Sequence, residues 1–327
     1  MVARALPYRR SRAALRRAEH SENTRTLVVA LAANGVITAA KLVAGLLSGS
    51  TAMLAEAAHS LADSLNELLL GVSLRHARRP PDADHPFGHG RARYLWAFLA
   101  AVSSFLVGGC VSIALAVHQL GQPEPLGNAT AAWVVLLVAF LAEGTSWVQG
   151  MRQAAREAGE RGISVKRHLL RSSDPIVRAV VVEDSAALLG VLLAAGGLLF
   201  SRAAGDNRAD AIASLLIGVL LALTAVGLAR PLADFLIGRS LPPEQVEKLR
   251  AVLAASPVVE EILSLQVVYT GPEEVVVAAK VHPSSRLTAD ELAQAMDEVD
   301  TALRAASPVV ADVFLDLTRH RGAPPRV

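Results

Sequence analysis

The stretch Glu56-Ala-Ala-His59-Ser-Leu-Ala-Asp63-Ser-Leu-Asn66-Glu67 carries the residue types that hold metal ions and move protons. In a helix, positions 56, 59, 63 and 66 share one face at steps of three and four. A histidine nitrogen and a carboxylate oxygen at i and i+4 can grip one divalent ion, and Zn2+ accepts this donor set readily. The binding forms are neutral histidine and ionised aspartate, so ion entry releases protons and acid expels the ion. That linkage is the physical basis of a metal/proton exchanger. The stripe also lies inside an apolar run, where ionisable groups are costly and commonly mark a substrate path. The alternative is that His59 and Asp63 form an internal hydrogen-bonded pair that holds helices together.

Two further clusters carry similar chemistry. Val180-Val-Val-Glu183-Asp184-Ser185 lies in another apolar run, and Asp184 can supply a third ligand from a second helix. Asp82-Ala-Asp84-His85-Pro-Phe-Gly88-His89-Gly90 places Asp82, His85 and His89 within eight residues, enough to bind a metal beside the membrane. Its alternative is a Gly/Pro-rich turn with solvated polar side chains.

The elements that position these residues follow from composition. The 327 residues are 52% hydrophobic with only 4% aromatics, and the mean hydropathy is +0.39. Such a chain is too apolar for an ordinary soluble protein. Six apolar segments meet the spanning length, near 26–48, 51–75, 93–120, 129–152, 174–200 and 209–236. The links after segments two and four are rich in Arg and Lys, which places them, and both termini, in the cytoplasm. Segment two then runs inward, and His59 and Asp63 lie roughly 13–20 Å deep at 1.5 Å per residue. Asp184, on the inward-starting segment five, lies roughly 15 Å from the inner face by the same rise. The two polar clusters meet at one depth.

Residues 1–25 form an Arg-rich stretch, read as a basic cytoplasmic tail, with an organellar transit segment as the alternative. The single cysteine, Cys110, excludes an internal disulfide and is expected to be a small buried residue. Residues 26–238 form the spanning domain. Residues 239–320 alternate as helix, strand, strand, helix, strand, with a capping-box pattern at Thr288-Ala-Asp-Glu291. The expected fold is an all-α membrane bundle of six transmembrane helices followed by a small α+β, ferredoxin-like (αββαβ) cytoplasmic domain. So small a sheet is expected to bury its spare face in a dimer. Residues 321–327 are expected to be a disordered tail.

His59-x-x-x-Asp63 in the second span, Asp82-x-x-His85-Pro-Phe-Gly-His89-Gly after it, six spans and a terminal α+β domain resemble the cation diffusion facilitator family over about residues 26–320. Glu143-Gly144 and Glu183-Asp184-Ser-Ala-Ala-Leu-Leu-Gly are similar to the branch containing animal zinc transporter nine. The resemblance implies a homodimer that exports Zn2+ or a related ion with proton antiport and alternating access. It implies an intramembrane site at His59, Asp63 and Asp184 and a loop site at Asp82, His85 and His89. One departure stands out. Relatives that move zinc usually carry a histidine where this chain has Val180, so the fourth ligand is absent or comes from Glu183, Glu143 or water. Strand positions that bind zinc in well-studied members read Leu263, Ala279 and Leu317 here, and His282 and His320 are expected at the surface.

The expected function is therefore divalent-cation efflux, with Zn2+ as substrate and Mn2+, Fe2+, Co2+ or Cd2+ left open. The alternative is a non-transporting membrane subunit that binds metal or regulates. An acyltransferase reading of His-x-x-x-Asp fails, because the motif is mid-span and no nucleophile accompanies it, so no enzyme and no organic cofactor are expected. Expected partners are membrane lipid, the metal ion, protons and a second copy, without nucleic acid. A bacterial-type cell membrane is the expected location, with an organelle membrane as the alternative.

Overall fold

A computed structural model describes residues 31–32, 34–121, 127–160, 162–171, 175–272, 274–284 and 288–318. The basic start at 1–25, His320 and the tail at 321–327 lie outside the described residues. The chain divides into two compact units. One comprises Met1–Val72 with Trp96–Arg230, and the other Ser73–Leu95 with Pro231–Val327.

The first unit is helical. Its main elements are α1 (Asn34–Ser48), α2 (Thr51–His76), α3 (Ala92–Gly121) and α4 (Thr130–Glu160). After the short α5 (Val165–Arg171) come α6 (Pro175–Ala204) and α7 (Arg208–Ile237). The ends of α2, α3 and α7 run into the second unit. Four helices, α3, α4, α6 and α7, are long and apolar enough to cross a membrane. α2 has the length, but Glu56, Asp63, Glu67 and Arg75 make it less apolar, and the described part of α1 is short.

The core of this unit is built from small side chains. Ala44, Ala52, Ala55, Ala132, Ala139 and Ala194 are buried alongside Leu198 and Ile217. Small residues let helix backbones approach closely, which favours packing inside a bilayer. Gly109 is an example: a Cβ there would press on the Ala222 backbone of α7 at 3.3 Å. Large apolar side chains instead point outward, among them Leu137, Leu141, Leu192, Phe200 and Leu223. Cys110 corrects the sequence expectation, since it is exposed. An apolar run in a spanning helix has a lipid-facing side, and hydrophobicity there does not distinguish lipid from protein.

Within α3, residues Ser104–Cys110 form a π-helical segment. Such widened turns are rare and concentrate at functional positions. The start of α2 is fixed more conventionally. Ser50 Oγ accepts from the Met53 N–H at 3.1 Å as an N-cap. The fully buried Asp210 of α7 accepts from Ser50 Oγ at 2.5 Å, Thr51 Oγ1 at 3.0 Å and the Ala52 N–H at 3.2 Å. A carboxylate at a helix N-terminus meets both unpaired N–H groups and the favourable end of the dipole.

The second unit contains α8 (Pro243–Ala254), β1 (Val259–Gly271), β2 (Glu274–Pro283), α9 (Ala289–Ala306) and β3 (Val310–Leu317). β1 and β2 pair antiparallel, with Val267 opposite Val277 and Tyr269 opposite Val275. β3 pairs parallel to β2 after the α9 crossover, giving the order β1-β2-β3. Alternation buries Val275, Val277, Ala279 and Val281 on one face of β2, while α8 buries Leu249 and Leu253 and α9 buries Val299 and Leu303. The capping box forms as its spacing suggests, with Thr288 Oγ1 accepting from the Glu291 N–H and the Glu291 carboxylate accepting from the Thr288 N–H. The Glu291 carboxyl is held below its usual range mainly by that backbone N–H.

Candidate metal centre

A cavity of about 270 Å³ opens within the first unit. Its walls come from four helices. α1 gives Asn34 and α2 gives Ser60, Asp63, Asn66 and Glu67; α4 gives Glu143 and Ser146, and α6 gives Val180, Glu183 and Asp184. Five carboxylates thus face one space among helices that are apolar outside.

Neutral polar groups set the carboxylates. Ser146 Oγ donates to Asp184 Oδ2 at 2.8 Å. Asn66 Nδ2 donates to Glu183 Oε1 at 2.8 Å and to Ser104 Oγ, at the start of the π segment, at 2.9 Å. Asn34 Nδ2 donates to Glu67 Oε1 at 2.7 Å. Lys41, fully buried on α1, donates to Glu56 Oε2 at 3.0 Å and Ser60 Oγ at 2.8 Å, and lies 3.8 Å from Glu143 Oε1. Glu56 reaches this place because α6 has Gly190 opposite it, where a Cβ would collide with the Glu56 carboxylate.

His59 is 3% exposed and its Nδ1 stands 3.6 Å from Asp63 Oδ1. His59 Nε2 and Asp63 Oδ1 are buried without a hydrogen-bond partner. Asp63 and Asp184 share the cavity wall, whereas His59 does not line it. These three are not gathered as tightly as the loop group: among the described residues, only Asp82, His85 and His89 place three such ligand atoms within 4.8 Å of one another. Of the alternatives for a fourth ligand, Glu183 and Glu143 both line the cavity, and so does Val180. The sequence pattern does not single out Lys41, Asn34, Ser146 or the Asn66–Ser104 contact. A lysine in the first apolar segment was the one visible signal, since neutral polar residues are unremarkable in spanning helices.

The loop cluster lies in the second unit. Asp82 Oδ1 accepts from the His85 N–H at 2.7 Å and the Asp84 N–H at 3.1 Å, closing a tight turn. Gly88 then adopts φ +78°, a conformation that glycine tolerates best. His85 Nδ1 stands 3.3 Å and His89 Nε2 3.5 Å from the Asp82 carboxylate. The His85 and His89 rings lie 4.2 Å apart, and the His76 ring at the end of α2 lies 5.5 Å from that of His89, tilted by 32°. His89 is buried and its Nδ1 has no hydrogen-bond partner. The Asp82 carboxyl is held below its ordinary range, chiefly by the His85 backbone N–H. Arg91 Nε donates to Tyr269 O at 3.0 Å, and Tyr94 stacks on Phe235 at 4.6 Å, so the loop is anchored to β1 and to the end of α7. In the same unit His282 is tied to Thr318 O at 2.9 Å.

Residues 27–237 match the family model of the cation efflux transmembrane domain. The chain is 30% identical over 263 residues to the proton-coupled zinc antiporter SLC30A9, mitochondrial, of Xenopus laevis, covering 80% of this chain and 47% of that protein. It is 32% identical over 254 residues to metal tolerance protein C4 of Arabidopsis thaliana, covering 78% of this chain and 55% of that protein. The manganese efflux system protein MneP of Bacillus subtilis is 28% identical over 230 residues, 69% of this chain and 72% of that one. The chain spans about half the length of the first two relatives. The solved MamM CTD aligns at a TM-score of 0.23 and 10% identity, over 24% of this chain and 99% of that one.

Proposed function

Because the chain belongs to the cation efflux family, we propose that it exports divalent cations, Zn2+ first among them, in exchange for protons. The observation that carries this reading is the cavity, where Asp63 and Asp184 face each other's space with Glu143 and Glu183 beside them. Five carboxylates in one small space repel unless some are protonated or a cation is present. A divalent ion and protons are therefore alternative occupants of the same charge. Asp63 and Asp184 are the principal oxygen ligands. His59, with its unpartnered Nε2, joins when α2 shifts toward the cavity, and Glu143 or Glu183 stands in for the histidine that Val180 replaces. Ser146 and Asn66 orient Asp184 and Glu183, which lowers the cost of arranging ligands around an arriving ion.

The wider arrangement is part of the same proposal. Six spans place both termini in the cytoplasm, the access side alternates, two copies assemble through the terminal α+β domain, and Asp82, His85 and His89 bind metal on the cytoplasmic side. The deciding experiment is zinc flux into proteoliposomes under an imposed pH gradient. Wild-type protein is expected to concentrate zinc in proportion to the gradient. Asp63→Ala and Asp184→Ala are each expected to lower flux at least a hundredfold, about 2.7 kcal/mol or more in the barrier. Normal flux in either variant would refute the site.

A further inference from the structure

Lys41 is the residue this cavity would be simplest without. It is fully buried on α1, and ionised groups in a spanning bundle are retained only for a purpose. Glu56, also fully buried, is its direct partner at 3.0 Å. A buried ion pair is seldom more stabilising than apolar residues of the same volume. Holding α1 against α2 is therefore a weak reason for the pair.

Its position supplies a stronger one. Of the three groups around the ammonium, Glu56 satisfies it, while Ser60 and Glu143 line the cavity. The Lys41–Glu143 separation of 3.8 Å is an ion-pair distance, longer than a hydrogen bond. Glu143 is thus shared between a fixed positive charge behind the wall and whatever cation stands in front of it. We propose that Lys41 is a tethered cation that competes with the transported ion for Glu143 and so loosens the ion enough for release. This deepens the export reading and rests on it. The ammonium cannot leave, so it is always available when the ion departs. It is held back by Glu56 and Ser60, so it does not fill the cavity itself. A divalent ion outbids a single positive charge for Glu143, whereas a monovalent ion of equal charge gains no such advantage.

The test removes both charges together, so that no buried carboxylate is stranded. Lys41→Met/Glu56→Met is compared with wild type for zinc uptake in proteoliposomes under a fixed pH gradient. The expected result is a split: KM falls about tenfold while maximal turnover also falls, because the ion is held too well. Lys41→Arg, which keeps the charge, is expected to retain the wild-type KM. A pair that only braces the helices would alter thermal stability and leave both kinetic constants alone. Unchanged constants, or a raised KM, overturn the proposal. Should the Met pair not fold, Lys41→Gln/Glu56→Gln keeps hydrogen-bonding groups without charge, and the same outcomes decide. Wild-type protein that moves no zinc overturns the export reading and this proposal with it. Active wild type beside an unaltered double variant overturns this proposal alone.

Discussion

Val180 and Gly190, both on α6, show how single side chains limit what the cavity does. Val180 lines it without offering a ligand. Val180→His is expected to tighten zinc binding and move the preference among Zn2+, Mn2+ and Cd2+. Competition assays check this, and an unaltered profile would mean that position 180 does not reach the ion. Gly190 leaves no room for a methyl group beside Glu56. Gly190→Ala is expected to destabilise the protein by about 1–3 kcal/mol through overpacking, read as a lower melting temperature in detergent. At this scale the stripe from Glu56 to Glu67 was visible in the sequence because charge is rare in an apolar run. Its partners were not. Ser146, Asn34 and Ser104 are neutral, so bilayer chemistry exerts little pressure against them anywhere on a helix. Which of them reaches a carboxylate depends on helix rotation, which periodicity in spans that are apolar on every side does not record.

Asp210 is the clearest case of one element organising another. It begins α7 yet closes the N-terminus of α2, the helix that carries His59 and Asp63. Asp210→Ala would leave several buried donors unpaired, at a cost of about 1–3 kcal/mol each before relaxation. The expected outcome is a large loss of thermal stability, larger than for Asp206→Ala, whose exposed carboxylate accepts from the Arg208 N–H at 3.1 Å. Comparable losses in the two would remove the cap from the account. The αββαβ order was legible because strands facing a core alternate and capping boxes leave a fixed spacing. The ends of the spanning helices were less so. The apolar run of the fourth segment stops near residue 152, but α4 continues to Glu160. Hydropathy reports where lipid ends, and a helix ends only where its backbone hydrogen bonds do.

At the scale of the whole molecule, the loop cluster carries an acid response of its own. Asp82 has a folded-state value below that of a free carboxyl, so its contribution to the turn is complete above the ordinary value of about 3.9 and is lost only as pH falls through the lower one. Between pH 7 and about 4.5 the Asp82 turn is therefore expected to persist, which carboxyl-resolved NMR of the chain in detergent can follow. Titration of Asp82 at or above the free value would contradict the observed hydrogen bonds. The proposed exchange of cations for protons over that same interval would then have to act through the cavity rather than by unfolding the loop.

The π segment of α3 has a consequence of another kind. Ser103 and Ser104 at its start meet Asn66 of α2, and Gly108 and Gly109 near its end meet Leu221 and Ala222 of α7. A widened turn amounts to one surplus residue, so α3 works as a phase shifter between two neighbours that one regular helix would not serve equally. Deleting a single residue from 104–110 would leave a helix still long enough to span, shortened by about 1.5 Å but with one half turned by about 100° against the other. Insertion into the membrane and the proposed cation transport would then separate: the first surviving the deletion, the second lost with the alignment.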